Sequence, residues 1–114
     1  MKKIATVLSE INHYGSTIEG PVPSTFQNNL PNFVKIENVV IVSQEDLIDT
    51  PSHSYDIDGE GNPIYHSHSN QNVDDRAQSF VKIEGNVVLL EGDKNSSNNT
   101  IIDNAQQNFV KIET

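Results

Sequence analysis

The pentapeptide Phe-Val-Lys-Ile-Glu occurs three times in this chain, beginning at Phe33, Phe80 and Phe109. Three copies in 114 residues do not arise by chance. Such repetition constrains the fold strongly, because each copy is one structural unit that must bury its face against a neighbour. The first two copies extend further: residues 32–42 read NFVKIENVVIV and residues 79–90 read SFVKIEGNVVLL, with Gly85 as an added residue at the turn. Within residues 80–84, Val81 and Ile83 share one face, while Phe80, Lys82 and Glu84 share the other. That period of two is the signature of a half-buried strand. Gly85-Asn86 reads as the hairpin turn, since both residues tolerate positive φ. Val87, Val88, Leu89 and Leu90 then form a return strand, closed by Glu91-Gly92-Asp93.

The segments ahead of the copies correspond as well. Residues 16–19, 63–65 and 99–103 each read as a short strand leading through a polar loop into the repeat. The units are therefore placed at about 13–46, 63–93 and 99–114, with a long linker over 47–62, in one domain spanning 1–114. The third unit stops at Thr114 without a return strand. No stretch keeps a 3.6-residue apolar period, and Asn, Ser and Asp crowd the connections, where they favour turns over helix interiors. The expected fold is all-β, with little or no helix.

Such a small chain, 34% hydrophobic, can bury only a thin core. It has no cysteine, so a disulfide cannot supplement that core and redox compartment is unreadable, which leaves a metal as the next candidate. A net charge of −9 and seven scattered basic residues argue against nucleic-acid binding, which needs clustered Lys and Arg. The opening Met1-Lys2-Lys3 followed by residues 4–8 imitates a signal peptide, but its apolar run ends at Ser9-Glu10, too short for an h-region. Synthesis in the cytoplasm without an export signal is expected. No run approaches the roughly 18 apolar residues of a membrane span.

The four histidines are His13, His53, His66 and His68, all outside the repeated hairpins. On an extended strand His66 and His68 point to one side, which suits joint coordination of one ion. Four imidazoles can fill a tetrahedral zinc shell; without a thiolate the site is all-nitrogen or borrows a carboxylate or water, and six-coordinate iron or nickel is also admissible. Surface loop histidines are the competing reading. Residues 56–61 (DIDGEG) place Gly61 as an EF-hand calcium loop would, but the twelfth position is Ser67 rather than glutamate, so a polar turn is expected. The sequons at Asn95 and Asn98 arise freely in an Asn/Ser-rich loop and carry no weight.

These features together resemble the PAAR-repeat family, the sharp tip proteins of type VI secretion spikes and contractile phage tails. The resemblance covers about His13 to Thr114. Residues 80–93 stand where the family has a strand, a turn, a Pro-Ala-Ala-Arg return strand and Gly-Asp, and Gly92-Asp93 matches that ending. His13-Tyr14-Gly15 looks like the family's His-Gly-Gly entry to a repeat, and Pro51-Ser52-His53 is similar to its Cys-Pro-x-His element. Pro-Ala-Ala-Arg itself is replaced by Val-Val-Leu-Leu or Val-Val-Ile-Val. The family's cysteine ligand is missing, Ser96 or Ser97 standing near its place, and His66 and His68 are the natural substitutes.

The resemblance implies a short conical repeat fold with pseudo-threefold symmetry and a zinc ion, or alternatively iron, near the apex on His13, His53, His66 and His68. It implies a non-enzymatic virion protein at the baseplate, a monomer capping a trimeric β-helical spike and contacting the target envelope transiently. Val34, Val81 and Val110, with Ile36, Ile83 and Ile112, are expected to share a core, leaving Phe33, Phe80 and Phe109 as an apolar docking ring. The rival readings are a trimeric tail fibre or adhesin fragment and, against the chain's small size, a metal-dependent hydrolase using Asp58 or Glu60 as base.

Overall fold

The computed structural model describes residues 1–15, 19–27, 34–107 and 110–113. Among these there is no helix. The strands are β1 (Lys2–Lys3), β2 (Glu10–His13), β3 (Val22–Phe26), β4 (Lys35–Ile36), β5 (Val39–Val40), β6 (Ile48–Ile57), β7 (Pro63–Gln71), β8 (Lys82–Ile83), β9 (Asn86–Val87), β10 (Lys94–Asn95), β11 (Thr100–Asn104) and β12 (Lys111–Ile112). The all-β expectation holds. The molecule is elongated, 50 × 27 × 23 Å.

The repeats form small hairpins, β4–β5 and β8–β9, each closed by a two-residue turn. Both central residues of each turn have positive φ: 51° and 67° at Glu37-Asn38, 50° and 83° at Glu84-Gly85. Two-residue hairpin loops favour this twist, and Gly or Asn at the second position accepts it readily. The turn is thus one residue earlier than Gly85-Asn86, and Asn86 pairs with Ile83 in the ladder. Gly85 is the counterpart of Asn38 rather than an added residue.

The third copy is not left without a return strand. β12 pairs with β1, Ile112 opposite Lys2 and Lys111 opposite Lys3, so the chain's first residues complete its last repeat. The backbone bonds show the equivalence. Ile41 N–H donates to Val34 O at 3.0 Å, Val88 N–H to Val81 O at 3.0 Å, and Ile4 N–H to Val110 O at 3.1 Å. The three return segments then close on one another in a ring. Ala5 N–H donates to Leu89 O (3.0 Å), Leu89 N–H to Val42 O (3.1 Å), and Val42 N–H to Ala5 O (3.2 Å). Ala5, Val42 and Leu89 are each 0% exposed. After the ring each segment turns the same way, its last amide capped by a side chain three residues on: Thr6 by Ser9, Ser43 by Asp46, and Leu90 by Asp93, all at 2.8 Å.

Under this ring Ile4, Ile41, Val88, Leu90 and Ile112 form one apolar cluster, with Ile36, Val81 and Ile83 packed against it. Val34 and Val110 do not join it; they are 44% and 38% exposed. Their face follows from the period of two, but the isoleucines nearer the turn cover the cluster, and so small a fold has no further layer for the outer position.

From each unit the chain runs on into a longer hairpin: β2–β3, β6–β7 and β10–β11. These join edge to edge as one antiparallel six-stranded sheet in the order β10-β11-β2-β3-β6-β7. A paired bridge between Asp75 and Lys94 brings the segment after β7 back to β10, curling the sheet. Its inner face packs Ile11, Phe26, Ile48, Val73 and Ile102 onto the ring residues Ala5, Val42 and Leu89. The supposed linker 47–62 is mostly strand β6, and the unit boundaries move accordingly. Of the expected leading strand 16–19, residues 16–18 lie outside the described residues and Glu19 sits in a turn.

Candidate metal centre

Moving outward along the inner face of the sheet, the apolar side chains give way to polar ones and then to histidines. Along β2 the inward positions are Ile11 and His13; along β6, Ile48 and Thr50, followed by His53. His53 lies opposite His66, and Thr50 opposite His68. The histidines are therefore strand residues, not linker residues. His66 and His68 share a side of β7, as the His-x-His spacing predicts.

A buried polar layer separates the apolar core from the histidines and holds His13. Ser24, Thr50, Gln71 and Thr100 are all buried, the most exposed at 6%. The Thr100 hydroxyl donates to Gln71 Oε1 at 2.6 Å, and Gln71 Nε2 donates to Thr50 Oγ1 at 2.8 Å. Thr50 and Ser24 share a hydroxyl bond of 2.7 Å. With its proton committed to Gln71, Thr100 Oγ1 can only accept from His13 Nδ1, 3.0 Å away. This places a proton on His13 Nδ1 and turns Nε2 toward Glu19. His53 is set the same way, because its Nδ1 lies 2.8 Å from the carbonyl of Pro51, which can only accept.

Both Nε2 atoms face a carboxylate. Glu19 Oε1 is 3.2 Å from His13 Nε2, 3.1 Å from His53 Nε2 and 2.6 Å from His66 Nε2, and the two Nε2 atoms of His53 and His66 are 2.9 Å apart. Imidazole nitrogens this close to a carboxylate oxygen need a cation among them, either a proton or a metal ion. His68 Nε2 is buried with no hydrogen-bond partner. Burial holds the His68 pKa below the usual imidazole value, and the neighbouring His13, His66 and His53 push it the same way. One ligand atom from each of His13, Glu19, His53, His66 and His68 falls within 4.8 Å of all the others. This donor set fits a transition-metal ion: four imidazoles, two of them oriented by hydrogen bonds on their far nitrogens, plus one carboxylate. Tyr55 stacks on the His66 ring, with centroids 4.0 Å apart and planes at 15°.

All four expected histidines meet here; Glu19 was not anticipated. Gly15 lies against Glu19, and Gly20 against Tyr14. A Cβ at Gly15, whose φ is +51°, would overlap the Glu19 carboxylate and stand 2.8 Å from His13 Nε2, and one at Gly20 would stand 2.6 Å from Tyr14 Cα. Two glycines bracketing a carboxylate just after a histidine were the legible signal for these close approaches. Reading residues 16–19 as a strand hid it.

The other candidates fall elsewhere. Asp58 accepts the amides of Glu60 and Asn62 in the exposed turn closing β6–β7, bonds that hold its carboxyl below the usual range. That turn is a local motif, and neither Asp58 nor Glu60 joins the histidine cluster. Ser96 donates to Asp74 and is likewise no part of it. Nor do the histidines form the tip: β6 continues from His53 to Ile57, paired with Pro63, beyond them. Phe80 is 66% exposed, while Phe33 and Phe109 lie outside the described residues. Comparison with known protein families, curated proteins and solved structures found no match to the chain.

Proposed function

We propose that this chain is the structural tip of a contractile injection spike, a non-enzymatic, PAAR-like cone that caps a trimeric β-helical spike and sharpens it for envelope piercing. The observation that carries this reading is the cyclic ring of hydrogen bonds through Ala5, Val42 and Leu89. A single chain that repeats one backbone unit three times around an axis can sit on a threefold partner with three equivalent contacts, which a monomer without internal symmetry cannot do. The exposed Phe80, with the equivalent Phe33 and Phe109 of the sequence repeat, belongs to the surface offered to the spike. At the far end, where the sheet narrows beyond its apolar interior, a zinc or iron ion on the histidine cluster replaces packing that a tapering fold cannot supply. The β6–β7 hairpin extends past the metal as the leading point. The protein acts mechanically, at the tail tip of the assembled particle.

Native mass spectrometry of the chain alone and mixed with the particle's trimeric spike protein tests this. The expected result is a monomer that forms a one-to-three complex, lost when Phe80 is changed to Ser. A chain that trimerises by itself and ignores the spike is a fibre fragment, and the tip reading fails.

A further inference from the structure

The cluster offers more donors, at closer spacing, than a tetrahedral structural site uses. With metal–nitrogen bonds of about 2.0–2.1 Å, tetrahedral ligands stand about 3.3 Å apart, while neighbouring ligands of an octahedron stand about 2.9 Å apart. Four of the ten separations among the five ligand atoms are 2.6, 2.9, 3.1 and 3.2 Å, below the tetrahedral edge, and the others lie within 4.8 Å. Glu19 Oε1 neighbours three different imidazoles, and His68 adds a fifth donor beyond the four that a tetrahedron holds. Resting on the metal reading proposed above, we infer that His13, Glu19, His53, His66 and His68 are five ligands of one six-coordinate ion of the iron(II)–cobalt–nickel type, whose sixth position takes water or a small exchangeable anion.

Two further observations place and characterise that sixth ligand. The His66 side chain is 32% exposed, whereas those of His13, Glu19 and His53 are 1%, 7% and 8% exposed, so solvent reaches the centre on the His66 side. Four neutral imidazoles and one carboxylate around a divalent ion leave the centre with a single positive charge. Within a chain of net charge −9, that is a local preference for a small anion over a second cation. Imidazole with carboxylate also suits iron, cobalt and nickel, so donor type and donor number agree.

Cobalt(II) is the probe, because its visible bands are weak in six-coordinate sites and intense in tetrahedral ones. Metal-free full-length protein is titrated with cobalt(II), and the saturated complex is then titrated with azide. Stoichiometric uptake with weak bands that shift on azide addition is the expected outcome. Changing Glu19 to Gln is expected to weaken cobalt affinity at least tenfold, while leaving the melting temperature of the metal-free protein within a few degrees. Intense tetrahedral bands would overturn the six-coordinate assignment but leave a metal site standing. Weak bands unmoved by azide would overturn the exchangeable position. No uptake of cobalt, zinc or iron would overturn the metal reading itself.

Discussion

The two ends of the molecule are held together by different physics. At the repeat end, three copies of one strand pair close a ring whose central residues are wholly buried, and two apolar clusters pack on either side. At the histidine end, the interior contains a hydroxyl–amide network and five ligand atoms without one apolar side chain among them. The first end gains its stability from chain packed on chain; the second gathers donor atoms that, on the proposed reading, an ion would hold together.

Removing the ion should separate the ends most sharply. Structural zinc can contribute on the order of 10 kcal/mol in a small fold. Chelation, or changing His53 or His68 to Ala, is therefore expected to lower the melting temperature well beyond the few degrees of a surface substitution. Hydrogen exchange should show β2, β6 and β7 losing protection while the Val42 and Leu89 amides keep theirs. Equal loss at both ends would mean that they are one cooperative unit. The mirror experiment is Leu89→Ala. A wholly buried leucine cut to alanine costs about 2–5 kcal/mol. It should destabilise the whole protein in a denaturant melt while leaving metal stoichiometry in the folded protein unchanged.

Thr100→Val probes the boundary between the two. It removes the acceptor that fixes the His13 tautomer and the donor to Gln71. Partners of this kind are worth about 10–100-fold in metal affinity. A competition titration with a chelating dye should show that loss, with a smaller change in melting temperature than the ligand substitutions give.

The smallest effect concerns the caps of the ring. Asp46 and Asp93 have pKa values raised above 3.8, burial being the main cause. A carboxyl raised on folding binds its proton more tightly in the folded state. Its contribution to stability is present below the unfolded pKa and is lost as pH rises through the raised folded value. Ser9 does the same capping without charge. Asp46→Ser is therefore expected to stay within about 1 kcal/mol of wild type at neutral pH. Thermal melts across pH 3 to 7 should show the variant gaining on wild type as pH rises; the opposite slope would mean the ionised form is the favoured cap.

Much of this organisation was written locally. The pentapeptide's period of two, the Asn and Gly at its turns and the absence of helical periodicity specify short hairpins, because strand face and turn twist depend only on neighbouring residues. The His-x-His pair likewise announced a shared face, and all four histidines converge. What local pattern does not contain is closure. Lys2 and Lys3 stand where the other units have Val39-Val40 and Asn86-Val87, so charge hides the return strand that Ile4 continues. Only the ring, by demanding a third donor and acceptor set between Leu89 and Val42, recruits the first residues of the chain to finish the repeat begun by the last. Glu19 is the same lesson at the other end. Its place among the imidazoles depends on a close approach to Gly15 and on strands contributed from 34 to 47 residues away meeting it there. The sequence by itself determined which faces and turns could form; which of them meet was decided by tertiary closure, since that depends on sets of distant backbone and ligand atoms being satisfied together.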